Sequence, residues 1–289
     1  MELQQMRYVV AIAEEQSFTR AAERCFVVQS SLSHQIKALE TELGVVLFAR
    51  TSRRVELTAA GEAFLPGARA SLEAAERAAA DATAATGEIR GVLTIGVIPT
   101  VTALDIPSAL RIFRERHPAV RVQLRGGGSD EFMTAIDEGT MDVAVLGLSD
   151  AVTPEKVAVR ELAREGLVVV LTDGHHLARR HRLRLKDLDG EVFVDFPRGT
   201  PGRAQSDLGF AAAGLRRDVA LEAVSTEMIL DLVRHGLAMA LLPPAVVPDE
   251  PGFRAILVTD GPVRVEYLAW SRFNPSPAAT AFLDVVSRC

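Results

Sequence analysis

Cysteine is scarce. Cys25 and Cys289 are the only two in 289 residues, far apart and without metal-ligand spacing, so neither a disulfide framework nor a zinc site is indicated. A redox role stays open beside the plainer reading of a buried, small apolar Cys25 and a terminal Cys289. Long apolar runs are missing as well: no stretch approaches the ~20 residues that a membrane helix needs. Met1-Glu2-Leu3-Gln4-Gln5 has neither the basic start nor the apolar segment of a secretion signal, so a cytoplasmic chain with no membrane partner is expected. An excess of positive charge is absent too. The formal net charge of −6 argues against a basic coat for unspecific nucleic-acid binding. Catalytic signatures are lacking: there is no Gly-x-Ser-x-Gly, no Walker loop and no metal spacing, and the isolated run Gly126-Gly127-Gly128 does not hold a phosphate by itself. No cofactor is called for.

What is present is a globular composition, 48% hydrophobic and 24% charged, in a chain long enough for a small domain and a larger one. Residues 1–60 hold seven Lys or Arg and seven Asp or Glu, unevenly spread: between 45 and 54 there are Arg50, Arg53 and Arg54 and no acid. Leu3, Met6, Val9, Val10 and Ile12 recur at helical spacing, and Ser17 is placed to cap a short helix that begins Phe18-Thr19-Arg20 and ends near Cys25. A third helix follows, with Leu32, Ile36, Leu39 and Leu43 as its inward stripe. Its opposite face presents Gln29, Ser30, Ser33, His34 and Lys37, hydrogen-bonding groups with no acid among them. Such a face suits the base edges and phosphates of a DNA major groove, and equally an ordinary solvated helix. Gly44 ends the helix, and 45–48 with 53–57 read as two short strands around a basic turn, a wing whose Arg50, Arg53 and Arg54 reach phosphate or minor groove.

The pattern Phe18-Thr19-Arg20-Ala21-Ala22, Gln29, Leu32-Ser33-x-Gln35-Ile36-x-x-Leu39-Glu40, Leu43-Gly44-x-x-Leu47-Phe48-x-Arg50 and Leu57-Thr58-x-x-Gly61 resembles the LysR-type transcriptional regulators. Where that family has Ser or Thr followed by Gln-Pro at the head of its recognition helix, this chain has Val28, Gln29 and Ser30. Valine cannot cap a helix, so Ser30 or Ser31 is expected to take that duty and shift the helix start. The resemblance continues through Gly96-x-x-Pro99, Phe113-Arg114-x-x-x-Pro118-x-Val120, Gly139-x-x-Asp142-Val143-Ala144, His175-x-Leu177-Ala178, Phe196-Pro197-Arg198-Gly199 and Gly236-Leu237-x-x-x-Leu241-Leu242-Pro243. It covers nearly the whole chain.

Thr58 is placed to cap a long alanine-rich helix reaching to about 86, in which Pro66 costs one backbone hydrogen bond and is expected to bend the helix locally. Leu65, Ala68, Leu72, Ala75, Ala79 and Ala82 alternate steps of three and four along it, the seam of a coiled coil. Pairing of two chains there agrees with the family's linker helix; a single buried helix is the plain alternative. Beyond it, apolar strands at 92–98, 120–124, 143–146, 167–171, 192–196, 219–224 and 237–242 alternate with helical stretches, an α/β order.

The expected fold is therefore α/β overall: an N-terminal winged helix-turn-helix (1–58), a linker helix for dimerisation (59–90), and an effector-binding domain (91–289). The resemblance implies that this last domain is like a periplasmic solute-binding protein, with two lobes joined by crossings near 159–163 and 264–268. Lobe one is then 91–160 with 267–289, and lobe two 161–266. Ligands of open α/β sheets settle at the carboxyl ends of strands, beside helix N-termini. This points to Pro99, Thr100 and Ser129 from lobe one, and to Phe196, Arg198, Thr200 and Thr226 from lobe two. Hydroxyls at helix starts suit a carboxylate or other anion, with Arg198 as a bidentate partner. The same hydroxyls are equally read as helix caps, and Arg198 as a solvated side chain. The expected partners are double-stranded DNA, a small-molecule effector, a second or fourth copy of the chain, and RNA polymerase. A secreted solute binder is the rival reading of the second domain, which residues 1–60 oppose.

Overall fold

The computed structural model describes residues 1–50, 55–84 and 88–288, with the side chains of 50, 80, 81, 83 and 84 left out. The chain divides into two compact units, Met1–Glu88 with Glu138–Thr140, and Ile89–Asp137 with Met141–Cys289.

In the first unit α1 (Leu3–Glu15), α2 (Phe18–Arg24) and α3 (Gln29–Leu43) close around Val9, Ile12, Ala21, Leu32, Ile36 and Leu39, all fully or nearly fully buried. The short strands β1 (Phe48–Arg50) and β2 (Val55–Leu57) pair antiparallel as the wing, Phe48 opposite Leu57. The first strand starts at 48 rather than 45, because Val45 and Val46 are exposed and the buried pair is Leu47 and Phe48. Glu40 fixes that entrance: its Oε1 accepts from the amides of Leu47 (2.7 Å) and Phe48 (3.3 Å). Leu43 departs from the expected inward stripe and is 36% exposed. Thr58 caps α4 (Ala59–Ala84) as the sequence suggests, its hydroxyl accepting from the Gly61 amide (3.1 Å) and donating to the Val46 carbonyl (2.6 Å). The helix runs through Pro66 without breaking. Ala68 is buried and Leu65 packs on the winged core, whereas Ala82 is exposed.

The second unit carries two sheets. One has the order β4–β3–β5–β13–β6: β3 (Gly91–Val97), β4 (Val120–Gly126) and β5 (Val143–Ser149) run parallel, and β13 (Val263–Ser271) and β6 (Val157–Gly166) are added antiparallel. Helices α5 (Ile106–Arg116), α6 (Ser129–Asp137) and α9 (Pro277–Val286) cover it, with Phe113 and Phe282 edge to face at 5.7 Å in its core. The other sheet has the order β11–β7–β12–β8, from β7 (Val168–Leu171), β8 (Arg182–Leu183), β11 (Ala240–Leu242) and β12 (Arg254–Val258). Strands β9 (Val192–Asp195) and β10 (Asp218–Glu222) pair in parallel, and Phe193 bridges to Met239 just before β11. Helices α7 (Pro201–Ala212) and α8 (Thr226–Arg234) flank these strands.

The crossings expected at 159–163 and 264–268 lie inside the β6–β13 ladder, which runs from Val157 opposite Ser271 to Gly166 opposite Val263. Both strands stay in the first sheet to their ends. The chain passes to the second sheet at Leu167, whose amide bonds the Pro262 carbonyl (3.0 Å), and returns after 258. The displacement has a physical cause: β6 and β13 carry charged residues that a reading for apolar runs counts as non-strand.

Candidate nucleic-acid interface and ligand cleft

Helix α3 begins at Gln29 with Val28 in the cap position and no side-chain cap; neither Ser30 nor Ser31 takes it, and the helix start does not shift. The amides of Ser31 and Leu32 bond the Val28 carbonyl at 3.1 and 3.2 Å. Gln29, Ser30, His34 and Lys37 are exposed, and Ser33 is half-buried. Gln29 Nε2 donates to Ser33 Oγ (2.9 Å), so two of the expected base readers hold each other one turn apart. Ser17 caps α2, its Oγ accepting from the Arg20 amide (3.4 Å), and Thr19 is exposed beside it. The structure thus brings together the helix-face set and Ser17 with Thr19 in one small unit. Arg53 and Arg54 lie outside the described residues, as does the side chain of Arg50.

Between the two lobes lies a cavity of about 410 Å³. Its walls come from the ends of β3 (Ile98, Pro99, Thr100) and β4 (Gly126–Gly128), the start of α6 (Ser129), the end of β9 (Phe196, Pro197), the start of α7 (Thr200) and the end of β11 (Leu242, Pro243). This is the carboxyl-end location that α/β architecture favours. Five of the seven expected residues line it: Pro99, Thr100, Ser129, Phe196 and Thr200. Arg198 does not; it is exposed and outside the lining. Thr226 is also outside the lining, and its hydroxyl donates to the Pro99 carbonyl (3.0 Å), joining the lobes beside the cavity.

Most of the expected hydroxyls are already committed. Ser129 Oγ, fully buried, accepts from the Gly147 amide (3.0 Å) and donates to the Gly147 carbonyl (3.2 Å). Thr200 caps α7, donating to the Pro197 carbonyl (2.8 Å) and accepting from the Arg203 amide (3.4 Å). Thr100, also buried, has no hydroxyl hydrogen bond among the described residues. Two residues that sequence reasoning missed complete the site. Gln205, on the second turn of α7, reaches across to the Gly147 carbonyl (3.0 Å). Arg264, 2% exposed, is the cation of the cavity: its Nη2 bonds the Thr100 carbonyl (2.7 Å) and Glu266 (3.1 Å), and its Nη1 bonds Glu165 (3.2 Å). Burial pulls the guanidinium's pKa down, opposed by the charges of Glu266 and Glu165. Glu266, 1% exposed, also accepts from the Thr102 and Ala103 amides (3.1 Å each). An isolated arginine in the run Val263-Arg264-Val265-Glu266 carries no local sign of burial, which is why this one was overlooked.

One group of possible metal ligands occurs among the described residues, His175, His176 and Glu191. His175 Nδ1 accepts from the Leu177 amide (3.2 Å), and Nε2 of His175 and Nε2 of His176 lie 3.3 and 3.2 Å from the Glu191 carboxylate.

A helix-turn-helix with a wing and a cleft between two α/β lobes now stand in one chain. The model for bacterial regulatory helix-turn-helix proteins of the lysR family matches residues 3–62, and that for the LysR substrate binding domain matches 86–288. The chain belongs to the LysR family. It is a DNA-binding transcription regulator with a substrate-binding domain, not an enzyme. This LysR-type regulator is 34% identical over 291 residues to the Hca operon transcriptional activator HcaR of Escherichia coli, covering 99% of this chain and 97% of that one. It is 34% identical over 253 residues to the hydrogen peroxide-inducible genes activator of Dickeya chrysanthemi, covering 86% of this chain and 81% of that one. Among solved structures, full-length CbnR complexed with its target DNA superposes with a TM-score of 0.72 at 29% identity, over 100% of this chain and 99% of that one. A full-length OxyR variant from Pseudomonas aeruginosa gives 0.74 at 25% identity, over 100% and 95%.

Proposed function

We propose that this regulator reads operator DNA with the exposed face of α3 and is controlled by a small molecule held in the cleft. The observation that carries the reading is the pairing of an acid-free donor face on α3 with a cavity of about 410 Å³ lined by both lobes. Gln29, Ser30, Ser33 and His34 address base edges. Lys37, Ser17, Thr19 and the wing residues Arg50, Arg53 and Arg54 address phosphate or minor groove. Pro99, Thr100, Ser129, Phe196 and Thr200, with Gln205 and Arg264, form the effector site. Residues 1–58 act as the DNA-reading module, 59–90 as the pairing helix and 91–289 as the sensor. The chain works in the cytoplasm as a homodimer or homotetramer joined through α4, and it acts on RNA polymerase. Support for the pairing comes from a 26-residue helix whose far end leaves Ala82 exposed. Effector binding shifts the population of lobe arrangements and, through the oligomer, the bend imposed on DNA.

The test uses the full-length protein and duplexes it selects from a random pool. Gln29→Ala and Ser33→Ala are expected to cost about 1–3 kcal/mol on the selected duplex and little on random DNA. Lys37→Ala is expected to weaken both and to flatten the slope of log affinity against log salt by about 0.9. Equal losses on both duplexes for all three variants would refute the division of roles.

A further inference from the structure

We infer that the effector is an uncharged, largely apolar molecule that offers a hydrogen-bond acceptor such as a carbonyl oxygen to Arg264 and Thr100, and not a carboxylate. The inference rests on the cleft being the effector site. It starts from charge. Arg264 is the cation of the cavity lining, and two carboxylates, Glu165 and Glu266, lie 3.2 and 3.1 Å from it. The triad already carries one negative charge in excess. The start of α6, which would otherwise attract an anion, has its own acids Asp130 and Glu131 in the first turn. Glu131 also lies against Gly127: a Cβ built on that glycine would come within 2.8 Å of Oε2. An incoming carboxylate would lose its water and gain no uncompensated cation. Arg198, the cation that would have served, is outside the cavity.

Donors tell the other half. A guanidinium has five N–H groups, and three acceptors are present: the Thr100 carbonyl, Glu266 and Glu165. The Nε hydrogen and the second Nη1 hydrogen have no acceptor among the described residues. The charge of Arg264 is balanced while two of its donors are unfilled, which is the condition for recognising a neutral acceptor. Beside it the buried Thr100 hydroxyl has no partner among the described residues. Gly147 keeps that corner open, since a Cβ there would meet Arg264 Nε at 2.9 Å and Ile98 at 2.8 Å. Apart from Ser129, Thr200 and Gln205, whose side chains already hydrogen-bond within the protein, the wall is mainly apolar: Ile98, Leu167, Phe196, Val224, Leu241 and Leu242. A hydrophobic body with one oxygen pointed at the arginine fills these requirements.

The test is calorimetric titration of the full-length protein with matched sets, each a carboxylate with its methyl ester and primary amide, built on aromatic and medium-chain aliphatic bodies. The neutral members are expected to bind at least about tenfold tighter than the carboxylate of the same body. Thr100→Val should lose up to about tenfold of the neutral affinity, the value of one net hydrogen bond. Glu165→Gln, which removes one compensating charge, should narrow the gap by favouring the carboxylate. Carboxylates binding more tightly than their esters and amides, or no neutral member binding at all, would overturn the inference. Val224→Trp separates it from the site reading: Val224 lines the cavity yet is 77% exposed, so the variant fills space without disturbing a core. Neutral ligands that bind Val224→Trp undiminished sit elsewhere, and then the cleft reading itself fails.

Discussion

At the residue scale the DNA-reading helix begins under local conflict. Val28 occupies the cap position of α3 with no side-chain acceptor for the free amides, and two residues earlier Phe26 is 95% exposed at φ 56°. A left-handed phenylalanine costs roughly 1–2 kcal/mol that asparagine largely avoids. We therefore expect Val28→Ser to raise unfolding free energy by about 1 kcal/mol and Phe26→Asn to stabilise as well, both read as an upward shift of the denaturant midpoint. A midpoint that falls in Val28→Ser would mean that the valine contributes packing the structure does not reveal. Burial pushes the Cys25 thiol up, so it stays protonated near neutral pH and reacts slowly. Cys25→Ser is accordingly expected to leave DNA binding unchanged with and without hydrogen peroxide, measured by fluorescence anisotropy. The helix-face donors were legible because α3 alternates two faces at helical period. Arg264 and Gln205 were not legible, because burial of a charged or amide side chain depends on what other segments bring against it, and no local pattern carries that.

At the element scale the apolar strands declared themselves, β5 most plainly, since every residue from Val143 to Leu148 is buried. Strands β6 and β13 did not, because they carry charges that pair across the ladder, as the buried Arg264 does opposite Glu165. The same distinction holds for caps. Ser17, Thr58 and Thr200 stand before their helices in sequence and cap them in the structure. For Thr200 this local duty competes with the ligand contact expected of it. Asp105 caps α5: the Ser108 hydroxyl (2.6 Å) and then its amide (3.1 Å) hold the carboxyl below its ordinary value of 3.8. Because the folded pKa is the lower one, this contribution is present above pH 3.8 and fades as pH falls through the depressed value. Hydrogen exchange at the Ser108 amide should therefore quicken only in that acidic window, and Asp105→Asn, which cannot titrate, should abolish that pH-dependent step. Glu40 binds the wing to α3 through two amides, and Glu40→Ala, leaving them without an acceptor, is expected to cost about 1–3 kcal/mol and to loosen the wing. Unaltered exchange at the Leu47 and Phe48 amides would contradict this.

At the scale of the whole molecule the two-module plan was legible because each module has its own periodicity, helical at one end, alternating α and β beyond. The chemistry of the cleft was not. The anion expectation depended on Arg198 and on hydroxyls next to helix starts, and three-dimensional packing moved the cation and engaged most of the hydroxyls. Gly147→Ala joins these scales: its methyl would press on Ile98 and on the guanidinium, with an expected cost of about 1–3 kcal/mol from overpacking and loss of any ligand-induced rise in melting temperature. Melting that rises with ligand as in the unaltered chain would show that this corner does not take part in binding.

The Gly147 carbonyl receives one donor from each lobe, Ser129 at 3.2 Å and Gln205 at 3.0 Å. That single oxygen is a natural vibrational reporter. A carbonyl stretch moves to lower frequency with each hydrogen bond it accepts, so an isotope label at Gly147 would rise in frequency when Gln205 lets go and return when the lobes re-engage. Cleft opening in this regulator thus has an infrared signature at a known bond, readable on the intact protein without any ligand in hand.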